Sequence, residues 1–154
     1  MLATQAHISQ VLRQTVSADL AAAIQTAKES AARLGRRVGR FEIYDLLKAV
    51  YRVYLSWKHR KIAKRSARRL ARELCIAQRK GMSPIRVLIE ATMPDADFKQ
   101  KSRWVRALQY VHSEKVPPSQ FHKLLRTRGG VAGCARLAAG ASRKRKRSGG
   151  DWID

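Results

Sequence analysis

Two features of the sequence predict an all-α fold. Apolar residues recur every three or four positions through most of its 154 residues, as on a helix with one buried face, and no segment shows the period-two alternation of a half-buried strand. A chain of this length can bury a core without metal or disulfide staples. The expected organisation is a small multi-helix domain over residues 1–139, with 1–80 and 81–139 as sub-units, followed by a disordered, flexible basic tail over 140–154.

In residues 9–34, Leu12, Val16, Leu20, Ile24, Ala27, Ala31 and Leu34 follow helical spacing, and Arg33, Arg36 and Arg37 stand at the end where a helix favours cations. After the basic turn of residues 35–39, a second helix starts near Phe41. No proline or glycine interrupts residues 41–80, so it has room to reach Lys80, which would make it about 60 Å long. A break is expected near Ser56 to His59. Its first half carries Tyr44, Leu47, Tyr51, Tyr54 and Leu55 at core spacing.

The second half is the long basic amphipathic helix of the chain. Residues 57–72, WKHRKIAKRSARRLAR, contain Lys58, Arg60, Lys61, Lys64, Arg65, Arg68, Arg69 and Arg72 and no acid. At about 100° per residue, all of these but Arg60 fall in one arc of roughly 140°. Ala63, Ala67, Leu70, Leu74 and Ala77 gather on the opposite side. Small apolar residues suit packing on protein better than insertion into lipid, so neither a membrane surface nor a calmodulin-like groove is the expected partner. Arg68, Arg69 and Arg72 are the expected central contacts. Trp57, where the apolar half becomes the basic half, is the best candidate for stacking on a nucleobase.

Ser83 and Pro84 open a short buried helix that stops before Pro94. Asp95 or Asp97 caps the next, whose apolar positions are Phe98, Trp104, Val105, Leu108 and Val111 and whose lesser basic face holds Lys99, Lys101, Arg103 and Arg106. Pro117 and Pro118 end it, and Ser119 is the expected N-cap of a helix through Phe121, Leu124 and Leu125. Gly129 and Gly130 then separate that helix from one over about 131–139. Two short helices joined at glycine, with Leu124 and Ala135 at buried positions, resemble a helix-turn-helix, which implies that the second helix enters a major groove. Arg126, Arg128 and Arg136 are the cations of this segment. Gly140 reads as a hinge before Arg143, Lys144, Arg145, Lys146 and Arg147, a run that adds affinity through phosphates rather than sequence choice, or serves as a nuclear address.

Thirty-three Lys and Arg against eleven Asp and Glu leave a formal net charge of +22, which calls for a polyanionic partner. The charge is placed rather than spread. Residues 51–80 hold eleven Lys and Arg and one acid, whereas residues 81–118 hold six and four. Chemistry is not expected. The histidines and cysteines show no metal-ligand spacing, the acids stand singly where they cap helices, and no glycine-rich phosphate loop follows a strand.

The resulting expectation is a nucleic-acid-binding regulator or accessory factor, with DNA favoured over RNA, no cofactor and no membrane partner. The alternative is a helical adaptor that binds an acidic protein or forms a homodimer through the Ala63, Ala67, Leu70, Leu74, Ala77 seam. Two isolated cysteines and the lack of a bilayer-length apolar run or signal-like start point to the cytoplasm and its nucleoid, or to a nucleus where the host or target cell has one.

Overall fold

The computed structural model describes residues 40–148, together with His7 and Gln10. The helix expected over residues 9–34 and the turn of residues 35–39 lie outside the described residues. Within them the protein is all-α: six α-helices, one 3-10 turn and no strand. It divides into two compact units between Ala96 and Asp97.

The first unit contains α1 (Arg40–His59), α2 (Ala63–Glu73) and α3 (Pro84–Thr92), each packed on the other two. From α1, Leu47, Val50, Tyr51, Tyr54 and Trp57 enter the core; from α2, Ala63, Ala67, Leu70 and Ala71; from α3, Ile85, Val87, Leu88, Ile89 and Ala91. Complete burial of a side chain such as Leu47 or Leu70 contributes about 1.5–3 kcal/mol relative to exposure. The α3 signals act as their residue types predict. Ser83 Oγ accepts the Arg86 N–H at 3.2 Å, Pro84 occupies the first turn, and the helix closes at Met93, before Pro94. Burial pushes the phenols of Tyr51 and Tyr54 above their ordinary range.

The second unit contains α4 (Phe98–Ser113), a 3-10 turn (Pro118–Gln120), α5 (Phe121–Thr127) and α6 (Gly130–Ser148). Of the two acids before α4, Asp97 is the cap and accepts the Lys99 N–H at 3.1 Å. Trp104, Val105, Ala107, Leu108 and Val111 line its packed side against α6. Phe98 is 60% exposed and so stands outside that core. Ser119 does not cap α5. The prolines draw it into the 3-10 turn, where Gln120 N–H donates to the Pro117 carbonyl at 3.0 Å.

Two helix ends differ from the sequence reading. α2 stops at Glu73 rather than near Lys80, so Leu74 only caps it and Ala77 lies beyond it, exposed. α6 does not stop at residue 139 but continues through Gly140 to Ser148. Nothing breaks it there: residues 130–148 contain no proline, a β-carbon on Gly140 would meet nothing within 4 Å, and Ser142 Oγ donates to the Ala138 carbonyl at 3.2 Å. Lys and Arg are also good helix formers, favoured at a C-terminus.

The early end of α2 belongs to a device used three times. After α1, α2 and α4 the chain enters the left-handed region at Lys61 (φ 57°), Cys75 (φ 53°) and Lys115 (φ 54°). Each of these N–H groups bonds back three residues, and the next N–H bonds back five: Ile62 to Trp57 at 2.9 Å, Ile76 to Ala71 at 2.8 Å, and Val116 to Val111 at 3.5 Å. This is the Schellman closure, with a half-buried Ile or Val just past the turn. A side chain in this conformation costs about 1–2 kcal/mol, part of which glycine returns by its greater freedom when unfolded. Cys75→Gly and Lys115→Gly are therefore each expected to stabilise the protein by about 0.5–1 kcal/mol, measured by urea denaturation.

Candidate nucleic-acid interface

The basic stretch is assembled from two helices rather than one. α1 ends on the buried indole of Trp57, the chain turns through Arg60 and Lys61, and α2 begins at Ala63. Three alanines and Leu70 seat α2 in its unit, and their small size allows close approach to the neighbouring helices. The opposite side of α2 is left to Lys64, Arg65, Arg68 and Arg72, all exposed.

The turn interrupts the helix without breaking up the basic stripe. It brings Lys58 and Lys61 to the same concavity as the α2 cations, a cleft of about 620 Å³ lined by Lys58, Lys61, Ala63, Lys64, Arg65, Arg68 and Arg72. Six side chains carry positive charge into this cleft and no acid lines it. With no acid in the lining, their mutual repulsion is screened by water and salt. Arg60, which falls outside the arc on a helical wheel, is exposed but does not line the cleft.

Four expectations are corrected by these positions. Arg69, expected as a central contact, is not among the residues that line the cleft: its Nε donates to Glu73 Oε1 at 2.9 Å, because a glutamate four residues on lies directly within reach along the helix. Trp57 does not stack on bases, since only 4% of it is exposed and the rest is core. The seam of Ala63, Ala67 and Leu70 is consumed within the first unit, with Leu74 and Ala77 off the helix, so it offers no dimer interface. Lys101 leaves the basic face of α4, being 7% exposed on the packed side.

In the second unit Arg126 and Arg128 are exposed at the end of α5, Arg136 is exposed on α6, and Arg143, Lys144 and Arg145 are exposed on its later turns. Lys146 and Arg147 continue α6, and their side chains lie outside the described residues. The order α5, glycine corner, α6 is that of a helix-turn-helix. However, Gly133, Cys134 and Ala135 are buried, so the first two turns of α6 present chiefly Ala132, Arg136 and Leu137. That face offers a single guanidinium for base edges. Burial raises the Cys134 thiol above its ordinary range, although Arg128 acts in the other direction. Among the described residues, no three His, Cys, Asp or Glu side chains gather as a metal set, and no helix is long and apolar enough to cross a membrane.

The cations of the cleft were legible in advance, and its concave shape was not. Helical periodicity places Lys58 and Lys61 on the same stripe as the α2 cations, but the concavity involves the left-handed turn at Lys61, which no proline or glycine announces. No protein-family model, curated protein or solved structure matches the chain.

Proposed function

We propose that this protein binds nucleic acid, duplex DNA ahead of RNA, and acts as a regulator or accessory factor through phosphate contacts. The observation that carries this reading is the cleft of Lys58, Lys61, Lys64, Arg65, Arg68 and Arg72, six cations without an acid on a folded, two-helix frame. Lysine and arginine that meet phosphates release the counterions condensed on a nucleic acid, and that release supplies affinity without reading sequence. Arg126, Arg128, Arg136 and the run Arg143, Lys144, Arg145, Lys146, Arg147 add further contacts from the second unit.

Salt dependence tests this mechanism. With six to eight phosphates neutralised on a duplex, log K should fall against log salt with a slope of roughly −5 to −7. The measurement is a titration of random duplex DNA, single strands and structured RNA at several salt concentrations. Structured RNA is the necessary comparison, because an arginine-bearing helix also fits a widened RNA groove or bulge. Association with DNA and RNA alike that hardly changes with salt would overturn the reading.

A further inference from the structure

The cleft belongs to the first unit, yet the second unit is just as cationic. Residues 40–96 hold fourteen Lys and Arg against five acids, and residues 97–154 hold fourteen against four. Part of that second charge is built into one helix face. On α4, Lys99, Arg103 and Arg106 are exposed, and at about 100° per residue they fall with Tyr110 within an arc of roughly 60°. They span about 10 Å along the helix. The packed residues Trp104, Val105, Leu108 and Val111 lie on the other side, so this face is held rigidly by the core of its own unit. Among the described residues no carboxylate pairs with Lys99, Arg103 or Arg106. The nearest acid in sequence, Asp97, has its carboxylate on the Lys99 backbone N–H as the helix cap.

We propose that the α4 face of Lys99, Arg103, Arg106 and Tyr110 is a second phosphate-binding surface, and that the chain bridges two nucleic-acid segments, one held in the cleft and one on α4. The inference rests on the nucleic-acid reading of the cleft. The three cations stand about 6 and 4.5 Å apart along α4, so their long side chains can reach separate phosphates along a strand whose charges recur every 3.4 Å of duplex axis. Tyr110 supplies a hydroxyl donor at the end of the same row. Each face is supported by its own core, so occupation of one requires no rearrangement of the other.

The test uses the full chain and duplexes of about one helical turn, too short to hold many proteins. One duplex is fixed to beads and a second, labelled duplex is offered in solution. The wild type is expected to carry labelled duplex to the beads, and under duplex excess to reach two duplexes per chain by analytical ultracentrifugation. Lys99→Gln/Arg103→Gln/Arg106→Gln changes exposed residues only. It should keep single-duplex binding through the cleft while lowering co-capture about tenfold or more. Its helical content is checked by circular dichroism; should it fold poorly, Arg103→Gln/Arg106→Gln, with Lys99 retained, takes its place and should lower co-capture in the same direction. One duplex per chain under excess, or co-capture by the triple variant equal to wild type, would overturn the bridging proposal. Failure of the wild type to bind even one duplex would instead overturn the nucleic-acid reading on which it rests.

Discussion

Replacing Arg68 and Arg72 together by glutamate should lower duplex affinity by about a hundredfold at low salt and reduce the steepness of its salt dependence by about two. Both side chains line the cleft and both are exposed, so their loss removes two phosphate contacts and places two anions among the four remaining cations. The substitutions lie on the solvent side of α2, opposite Ala67 and Leu70, and the midpoint of thermal unfolding should hardly move. The matched comparison replaces Arg60 and Arg69 together by glutamate. It changes the net charge of the same stretch by the same amount, yet neither residue lines the cleft, so binding should weaken by less than about tenfold. Fluorescence anisotropy with a labelled duplex at two salt concentrations distinguishes these cases. Equal losses for the two double variants would mean that net charge, not the cleft, determines binding.

The contrast between Arg68 and Arg69 also shows what periodicity can reveal. Spacing placed both on one cationic stripe, and it placed Ala63, Ala67 and Leu70 on the packed side, where they are. Helices bounded by strong local chemistry were legible to within a residue or two: Ser83 with Pro84 for α3, and Asp97 at the start and Pro117 beyond the end of α4. Of the boundaries without such chemistry, the break after α1 was expected near Ser56 to His59 and falls at the edge of that range, whereas the end of α2 was placed too late. Lys61 and Cys75 adopt a conformation that most side chains avoid, because the closing hydrogen bonds and the docking of Ile62 and Ile76 outweigh the local cost. A β-branched apolar residue just after a run of helix is the remaining trace of that device. It recurs as Lys61-Ile62, Cys75-Ile76 and Lys115-Val116. The cleft's concavity follows from the first of these turns, so sequence reasoning reached its cations, Lys58 and Lys61 included, but not its shape.

Gly133→Ala should destabilise the second unit by about 3 kcal/mol, although it adds only one methyl group. A β-carbon there would overlap the Arg128 carbonyl oxygen, which is backbone and cannot swing aside as the end of a side chain would. The overlap arises because the corner is short: α5 ends at Thr127, Gly129 (φ 78°) and Gly130 (φ 73°) take left-handed conformations, and Gly133 N–H already bonds the Gly129 carbonyl at 3.2 Å. Relief requires α6 to move away from α5, which would uncover Phe121, Leu125 and Cys134, all fully buried. Two other glycines calibrate the effect. Gly129→Ala meets only open contact and pays the left-handed penalty, about 1 kcal/mol, whereas Gly140→Ala lies in open space within a helix and should stabilise α6 by about 0.5–1 kcal/mol. Urea denaturation gives the three values, and hydrogen exchange locates them. Faster exchange in Gly133→Ala should be confined to residues 97–148, with residues 40–96 unchanged, because the first unit has its own core. Duplex binding by the cleft would then survive in a chain whose α5–α6 corner is broken. A parallel loss of both would show instead that the two units fold only together.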